Sequence, residues 1–486
     1  MMLKRSLISI IAICLIGHFS LVGQLNQDGQ VSEPGPANDS PPNVLFIAVD
    51  DLNDWVGHLG GHPQAKTPNI DRLAKNGVTF SRAYCSAPLC NPSRISLLTG
   101  ILPSNSGVYG NGELLREKLP DAKTLMEYLQ ENGYSAQGGG KIFHGIGPID
   151  PDSWDYYFQL SGDEQQKVRA TQYSAKRQEG LPESAWTPWG PLEVSDEEMF
   201  DVKVVNWTIS ELEKSQEKPF FLACGFTKPH LPWYVPQKYF DLHPLDSIIL
   251  PETLENDRDD LPAWGKKFAA EVHDVSNAWN FATHGEDHDM VLKYNQWQRA
   301  VQGYLASISF IDEHVGRLLD ALEASEHADN TIVVLWGDHG WHLGEKQHWR
   351  KHALWDVTTR STLVISAPDG VQKNGICERP VSLIDLYPTL VEMCGLPGRQ
   401  GLDGQSIAPL LRNPELEWER PALMTFGYQN HAVQTERWRY IRYNDGGEEL
   451  YDHTQDPNEW TNLASQSEYE AVIKELRKSM PKLNRR

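Results

Sequence analysis

Runs of consecutive apolar residues recur along the chain, and polar side chains follow soon after most of them. The longest runs occupy residues 44–49, 219–226, 331–337 and 361–368. Because these runs show no alternation of polar and apolar positions, they predict strands that are buried on both faces of a parallel sheet.

Segments with apolar residues on one helical face separate these runs. The segments that contain predicted helices, with their start and stop signals, are residues 67–77, 91–100, 122–134 and 296–325. The first has Thr67 in the cap position, Pro68 at the first helical position and Gly77 just beyond its end, the usual order of start and stop signals. The alternation of strands and helices predicts an α/β fold, with a large, mostly parallel or mixed sheet sandwiched by helices.

Three of the predicted strands are followed by side chains that can bind ions or move protons. These are Asp50 and Asp51 after the first strand, Lys228 and His230 after the second, and Asp338 and His339 after the third. Ligands of open α/β sheets bind at the carboxyl ends of the strands. We therefore expect these side chains to meet at one edge of the sheet.

The pattern changes near residue 421, where short aromatic runs separated by turn residues replace the long apolar ones. These runs predict a small antiparallel sheet, followed by a final helix over residues 468–479. The predicted organisation is therefore a main domain over residues 43–415 and a smaller C-terminal subdomain over residues 416–486.

The N-terminal residues have the pattern of an export signal. Lys4 and Arg5 precede an apolar run at residues 7–16, which is too short to span a bilayer comfortably. We predict a signal peptide over residues 1–23 and a flexible linker, rich in Pro and Gly, over residues 24–42. The protein would then be periplasmic or secreted, with no stable membrane span after signal cleavage. An uncleaved anchor is the alternative.

The balance of charges excludes one class of partner. The chain has 44 Lys and Arg against 66 Asp and Glu, which gives a formal net charge of −22. A protein of this charge is poorly suited to non-specific nucleic-acid binding, so we predict no nucleic-acid partner. The same charge repels an anionic substrate unless the binding site is locally basic.

The cysteines leave the state of Cys90 open. The chain has 6 cysteines, and removal of Cys14 with the signal leaves 6 − 1 = 5, an odd number in an exported protein. Cys90 could pair with Cys85, pack as a buried thiol, or act as a nucleophile activated by the start of a helix. Whether Cys377 and Cys394 form a disulfide is equally open.

Candidate metal ligands are Asp50, Asp51, Asp338 and His339. Oxygen-rich ligand sets favour hard cations such as calcium or magnesium, and one imidazole beside carboxylates also suits zinc. Helix capping is the alternative interpretation of the paired aspartates, although a cap needs only one such residue. A separate zinc site at His342, His348 and His352 is not favoured, because no close set of Cys and His ligands accompanies them.

The block Cys90-Asn91-Pro92-Ser93-Arg94 resembles the signature of type I sulfatases, in which cysteine is followed by proline two positions later and arginine four positions later. Other segments are similar to the same family, in the same order: NVLFIAVDDLNDW, TPNIDRLAKNGVTFSRAY, GKIFH, WGDHGWHLGE and ELYDHTQDPNEWTNLA. FLACGFTKPHLPW, GKIFH and DHGWHLGE look most like the iduronate-2-sulfatase branch. The resemblance covers nearly the whole chain. It implies the alkaline-phosphatase-like sulfatase fold, with residues 43–415 as the catalytic domain.

The resemblance also implies a set of site residues. Cys90 would be oxidised to formylglycine by a formylglycine-generating maturation enzyme, and the hydrate of that aldehyde would be the nucleophile. Calcium would be held by Asp50, Asp51, Asp338, His339 and the modified Cys90. The remaining roles would be as follows: Arg94 holds the formylglycine hydroxyl, Lys141 and Lys351 contact sulfate oxygens, His144 helps to eliminate sulfate, and His230 protonates the leaving oxygen.

The predicted function is hydrolysis of the sulfate esters of a sulfated carbohydrate. A phosphodiesterase or phosphonate-ester hydrolase of the same superfamily is the alternative, and a non-catalytic carbohydrate-binding relative is a third possibility. A positive pocket in the acidic chain is expected from Arg94, Lys141, Lys228, Arg350 and Lys351. The walls of the substrate pocket are expected to include Asp54, Trp55, His58, His62, Trp341 and His342.

Overall fold

A computed structural model describes residues 40–172, 188–270 and 287–486 of the protein. The predicted signal peptide lies outside these residues, and so does the predicted linker as far as residue 39. Within the described ranges, no helix combines the length and the apolar character that a bilayer span requires. Residues Pro41–Arg486 group into one compact unit.

The strands of the described residues are numbered in chain order. They are β1 (Asn43–Val49), β2 (Val78–Phe80), β3 (Ala83–Tyr84), β4 (Ser135–Gly140), β5 (Tyr156–Phe158), β6 (Trp189–Leu192), β7 (Phe220–Phe226), β8 (Trp233–Pro236), β9 (Thr331–Gly337), β10 (His342–Leu343), β11 (Trp349–Arg350), β12 (Arg360–Ser361), β13 (Leu363–Ser366), β14 (Gly375–Cys377), β15 (Val381–Ser382), β16 (Ala422–Thr425), β17 (His431–Gln434), β18 (Trp438–Arg442) and β19 (Glu448–Asp452).

The α-helices are numbered in the same way. They are α1 (Pro68–Lys75), α2 (Cys90–Thr99), α3 (Pro103–Ser106), α4 (Leu115–Lys118), α5 (Leu125–Glu131), α6 (Gly162–Gln172), α7 (Phe200–Leu212), α8 (Gln237–Asp241), α9 (Ala263–Ala270), α10 (Asp287–Lys293), α11 (Trp297–Ala324), α12 (Asp356–Thr359), α13 (Leu386–Met393), α14 (Ala408–Arg412) and α15 (Glu470–Leu476).

Eight strands form the main sheet, in the order β14-β2-β13-β9-β1-β7-β4-β5. The five strands from β9 to β5 run parallel to one another, whereas β13 is antiparallel to both β9 and β2. The sheet is therefore mixed, and each of the four long apolar runs contributes one of its strands.

The strand β1 lies in the middle of this sheet and is buried along its whole length. Every second residue from Leu45 to Val49 joins an apolar cluster that includes side chains of α1, α7 and α11. The alternate residues from Val44 to Ala48 join a second cluster, with side chains of α2, α5 and α13. Because successive strand residues point to opposite faces, helices cover both faces of the sheet. The predicted sandwich of helices around a mixed sheet is thereby confirmed.

The register of the central strands brings their carboxyl ends together. Val49 of β1 lies opposite Phe226 of β7 on one side and opposite Gly337 of β9 on the other. Next to β7, Gly140 at the end of β4 has φ 83°, and a Cβ there would lie 1.9 Å from the carbonyl oxygen of Gly225. Only glycine fits this close approach. The residues that follow β1, β4, β7 and β9 consequently emerge at one edge of the sheet.

The first helix starts where the sequence predicts, but a different side chain caps it. Thr67 precedes α1 without making a capping hydrogen bond. The backbone N–H groups of Asn69 and Ile70 instead donate to the carboxylate of Asp312 in α11. The start signal in the sequence thus locates the first residue of α1. The side chain that caps the helix, however, belongs to Asp312, which is far away in the chain.

A second, four-stranded antiparallel sheet forms near the C-terminus, in the order β16-β17-β18-β19. Met424 and Ile441 join an apolar cluster that contains Trp355 and Tyr84, whereas Tyr440 joins a cluster with side chains of α15. The predicted small sheet and final helix are both present, although α15 is shorter than the predicted segment. Cys377 and Cys394 are buried free thiols, so no disulfide joins them.

Candidate active site

The two aspartates after β1 face one site because the backbone turns between them. Asp51 has φ 62°, in the left-handed region that residues other than glycine seldom adopt. The hydroxyl of Tyr304 donates to the Asp51 carbonyl at 2.7 Å and accepts from the Asn53 N–H at 3.0 Å, which supports this turn. In an extended strand, the two adjacent carboxylates would point to opposite faces.

The side chain of Cys90 is the first of α2 and is completely buried. Its Sγ lies 2.9 Å from Lys351 Nζ, 3.4 Å from His339 Nε2 and 3.7 Å from Lys141 Nζ. Burial raises the pKa of the Cys90 thiol to about 12, although both lysines oppose this shift. The unmodified side chain is therefore a neutral thiol rather than an activated thiolate. It is also free, so no disulfide joins it to Cys85.

Arg94 lies one helical turn after Cys90 and binds the strand ends. Its Nε donates to Asp338 at 2.8 Å, and one Nη donates to Asp50 at 3.2 Å. The other Nη donates to the carbonyl oxygens of Lys141 and Ile142. Since the guanidinium is fully buried and saturated by these acceptors, its observed contacts hold the ends of β1, β4 and β9 in place.

Two lysines neutralise the paired aspartates. Lys141 forms an ion pair with Asp50, and Lys351 Nζ lies 2.7 Å from Asp51 Oδ1. Burial favours the neutral acid at Asp50, but Lys141 and its neighbours outweigh it and hold the pKa of Asp50 well below its usual value. At Asp51 burial prevails over Lys351, so the pKa of that carboxyl is raised. The two carboxyl groups thus differ in their affinity for protons.

The orientation of His339 suits a metal ligand. Its Nδ1 lies 3.0 Å from the Gly340 carbonyl, to which it donates, so its Nε2 carries the lone pair. That nitrogen faces Asp51 Oδ1 at 3.4 Å and Asp338 Oδ1 at 3.6 Å. A lone pair that faces carboxylate oxygens is unfavourable unless a cation lies between them.

The surrounding donors also fit a cation. Within the described part of the chain, Asp51 Oδ2 is buried and has no hydrogen-bond partner. There are two sets of residues in which the ligand atoms lie within 4.8 Å of one another. The first set is Asp50, Asp51, Cys90 and His230, and the second is Cys90, Asp338 and His339. His230 in the first set is a member that the sequence does not suggest. Three of the six different residues are carboxylates, whose oxygens suit a hard cation such as Ca²⁺.

Two histidines lie where the charged cluster meets a cavity. His230 is 38% exposed, its Nδ1 lies 2.5 Å from the Leu231 carbonyl, and its Nε2 lies 3.9 Å from Asp51 Oδ2. Desolvation and the nearby Lys141 lower the pKa of His230. The same two causes lower the pKa of His144 to about 4. Both imidazoles are therefore neutral at pH 7 and can accept a proton.

The cavity has a volume of about 620 Å³. Its walls are formed by Asp50, Lys141, His144, Gly145, Ile146, Gly147, Gln159, Leu160, Gln165, Val168, Arg169, Phe200, Thr227, Lys228, His230, Leu231 and Pro232. The ammonium group of the buried Lys228 donates to the carbonyls of His230 and Pro232. Burial lowers the pKa of Lys228 to about 8. The cavity thus ends on the same charged cluster that surrounds Cys90.

The predicted pocket walls do not coincide with the walls of this cavity. None of Asp54, Trp55, His58, His62, Trp341 and His342 lines this cavity. Asp54 forms an ion pair with Arg360, and the His342 ring bonds to Thr358 at 2.6 Å. Arg350 also departs from the expected positive pocket, because it forms an ion pair with Asp287 at 2.9 Å. These side chains meet internal partners, so their nearness in sequence to the site residues does not place them on its surface.

Eight of the 17 wall residues lie in the segment 145–169, which the sequence does not single out. Gln159 precedes the polar helix α6, and Gln165 and Arg169 lie on it. Apart from Val168, the side chains of residues 162–171 in α6 are exposed or half-buried, so the pattern carries no strong signal for a buried face. The Gly145-x-Gly147 segment after His144 is the one local indication of a loop at the site.

The fold and the site together define a class of protein. A mixed α/β sheet carries a candidate cation site, two lysines and two histidines at its strand ends. A family model described as Sulfatase matches residues 42–396, and another, described as N-sulphoglucosamine sulphohydrolase, C-terminal, matches residues 344–486. The chain belongs to the sulfatase family and is a sulfuric ester hydrolase.

Individual relatives agree with this assignment. The chain is 39% identical over 458 residues to a sulfatase of Formosa agariphila, which covers 91% of this chain and 87% of that one. It is 31% identical over 393 residues to iduronate 2-sulfatase of Mus musculus, which covers 73% of this chain and 69% of that one. The predicted resemblance to sulfatases is confirmed.

A solved structure supports the fold. The protein BT4656, in complex with D-glucosamine-2-N,6-O-disulfate, superposes with a TM-score of 0.70 and covers 90% of this chain and 96% of that one. The two sequences are 22% identical, so this likeness concerns the fold.

Proposed function

We propose that this chain is an exported sulfatase that hydrolyses sulfate esters of a carbohydrate, with a formylglycine hydrate made from Cys90 and a calcium ion. One observation carries the proposal. The groups within 4.0 Å of Cys90 Sγ include two ammonium groups, from Lys141 and Lys351, and two candidate metal ligands, Asp51 and His339. A nucleophile made at this position would face a cation and two positive side chains at once.

The neutral state of Cys90 supports its modification. A thiol whose pKa is raised to about 12 is a poor nucleophile at neutral pH. A formylglycine hydrate in its place would supply two hydroxyl groups, one to attack sulfur and the other to expel sulfate afterwards. The signature of residues 90–94 is the substrate that the maturation enzyme would require.

The residues proposed to hold calcium are Asp50, Asp51, Asp338 and His339, together with the modified residue 90. The fit is supported by the unpartnered Oδ2 of Asp51 and the inward lone pair of His339 Nε2. Calcium bound there would polarise the sulfate oxygens.

The remaining chemistry falls to side chains of the chain itself. Lys141 and Lys351 offset the charge that grows on the sulfate oxygens, while Arg94 keeps Asp50 and Asp338 in position. His230, at the cavity, holds a proton at Nε2 for the leaving oxygen, and the bound sulfate anion favours this imidazolium. His144 Nδ1, buried without a hydrogen-bond partner among the described residues, takes up a proton during sulfate release.

A carbohydrate is the substrate class that we propose. The relatives include an iduronate 2-sulfatase, and the superposed protein binds a glucosamine disulfate. The cavity of about 620 Å³ falls within the range of small-molecule sites, about 300–1,000 Å³. Export follows from the pattern of residues 1–23, and a periplasmic or secreted enzyme would meet such saccharides outside the cytoplasm.

Parallel rate measurements test the proposed reaction. Protein produced with the maturation enzyme is assayed on 4-nitrophenyl sulfate, glucosamine 6-sulfate and bis(4-nitrophenyl) phosphate, before and after chelation with EDTA. We expect turnover of both sulfates, loss of most activity on chelation, and recovery with calcium. Faster turnover of the phosphate diester than of either sulfate would favour the phosphodiesterase alternative. Full activity after verified metal removal would contradict the calcium site.

A further inference from the structure

The cavity has a second basic end that the proposed reaction does not use. Lys141 and Lys228 are buried at its inner end, whereas Arg169 and Gln165 are exposed side chains of α6 at its outer wall. Residues 165 and 169 are one helical turn apart, so both point to the same side of α6. In the proposed function, the reacting sulfate binds at the inner end of the cavity. The rest of the substrate then extends from there towards the outer wall.

Among the residues that the structure describes, no ion pair offsets the positive charge of Arg169 at the cavity. Among the described residues that line it, Asp50 is the only carboxylate, and Arg94 and Lys141 already bind that side chain. Within residues 40–172, 188–270 and 287–486, no hydrogen bond or ion pair joins the Arg169 side chain to another residue. Arg116, by contrast, forms ion pairs with Asp150 and Glu127.

We infer that Arg169 binds a second anionic group of the substrate and thereby selects saccharides that carry at least two negative charges. This inference rests on the proposed sulfatase function. A guanidinium offers a planar pair of N–H donors that matches a carboxylate or a sulfate, and the amide of Gln165 adds a donor beside it. In a protein of net charge −22, a positive group at the mouth of a basic cavity also attracts polyanions.

Binding to matched probes tests this inference independently of turnover. The full-length Cys90→Ala variant, loaded with calcium, is titrated by calorimetry with glucosamine 6-sulfate, glucosamine-2-N,6-O-disulfate and a uronic acid 2-sulfate. The first probe has one anion, the second has two sulfates, and the third has a sulfate and a carboxylate. Each titration is repeated with Arg169→Ala, Arg169→Lys and Lys167→Ala in the same background. Lys167 is the matched control, because it is an exposed cation of α6 that does not line the cavity.

We expect at least one doubly charged probe to bind about tenfold more tightly than glucosamine 6-sulfate, as a charge-assisted bidentate contact would give. The ratio should fall to about 1 with Arg169→Ala, recover in part with Arg169→Lys, and stay unchanged with Lys167→Ala. The probe that shows the preference identifies the second group as a sulfate or a carboxylate.

Two outcomes overturn the inference: no preference for either doubly charged probe, or a preference that survives Arg169→Ala. An equal loss with Lys167→Ala would reduce the effect to general electrostatic attraction and would overturn it as well. Failure of the proposed function has a different signature. Mature protein would then turn over no sulfate ester, whatever the binding ratios of the variants are.

Discussion

The inner end of the cavity and its outer wall are built in different ways. The inner end is built on buried side chains that follow parallel strands, such as Asp50 and Asp338, and both are bonded to Arg94 of α2. The outer wall comes from irregular segments and the polar helix α6, whose Gln165 and Arg169 are exposed. Reacting groups thus lie on a rigid sheet edge, and the groups that meet the rest of the substrate lie on a surface that can vary without disturbing that edge.

Because of this difference, we expect substitutions in the two regions to affect different properties of the enzyme. Substitution at the inner end removes chemistry or leaves buried charges without partners, so it should affect turnover or folding strongly. Substitution at the outer wall changes exposed contacts, so it should affect only substrate preference. The following predictions test this division, in order of decreasing effect.

Cys90→Ala should have the largest effect on activity. Removal of the proposed nucleophile should lower turnover of 4-nitrophenyl sulfate by more than about 1,000-fold. Cys224→Ala is the matched control, since Cys224 is a buried thiol of β7 outside the site. Its turnover should stay close to that of the wild type. A Cys90→Ala protein with wild-type turnover would remove residue 90 from the mechanism.

Arg94→Met should have the largest effect on folding. The change leaves Asp338 and Asp50 buried without the guanidinium, which should lower the free energy of unfolding by about 3–5 kcal/mol. Arg412→Met removes an ion pair with Glu392 whose side chains are 57% and 40% exposed, so its loss should be several-fold smaller. Denaturant titration measures both. Equal losses would mean that the buried network does not organise the strand ends.

His230→Ala tests the boundary between the two regions. If His230 protonates the leaving oxygen, its removal should slow hydrolysis of a sugar sulfate by about 100-fold. Turnover of 4-nitrophenyl sulfate should fall much less, because that leaving group needs little protonation. Measurement of kcat for both substrates makes the comparison. Equal losses of kcat on both substrates would contradict a role of His230 as the general acid. They would favour a role in binding the sulfate ester, since His230 lies close to Asp51.

The smallest predicted effect is the dependence of substrate binding on pH. Burial lowers the pKa of Lys228 to about 8, so its ammonium charge is present below pH 8 and is lost as the pH rises through that value. The KM for a sulfate ester should therefore rise a few-fold between pH 7 and pH 9. In Lys228→Arg it should stay flat, since a guanidinium remains charged over this range. A rise of the same size in Lys228→Arg would assign the effect to another group.

Much of the inner end can be predicted from sequence, for a physical reason. An apolar run predicts a buried strand, and polar residues that follow it must emerge at the sheet edge, as Asp50, His230 and Asp338 do. The start of α2 at Cys90 and its end at Gly100, which has φ 71°, also follow from local signals.

Other features of the site depend on contacts between distant segments. The left-handed conformation of Asp51 and the approach of Gly140 to Gly225 are set by packing, and no local pattern indicates them. Arg350 pairs with Asp287, although its neighbour Lys351 reaches Asp51. The outer wall is the least predictable part, because the polar pattern of α6 resembles that of any solvent-exposed helix.

The state of residue 90 in the active enzyme is the most direct test of the account. Protein purified from a host that contains the maturation enzyme is digested, and the peptide that contains residues 90–94 is mapped by mass spectrometry while turnover of a sulfate ester is measured on the same sample. The account predicts formylglycine at residue 90, in a fraction that rises in proportion to turnover between preparations. A sample that keeps full turnover with an unmodified thiol at residue 90 would contradict it.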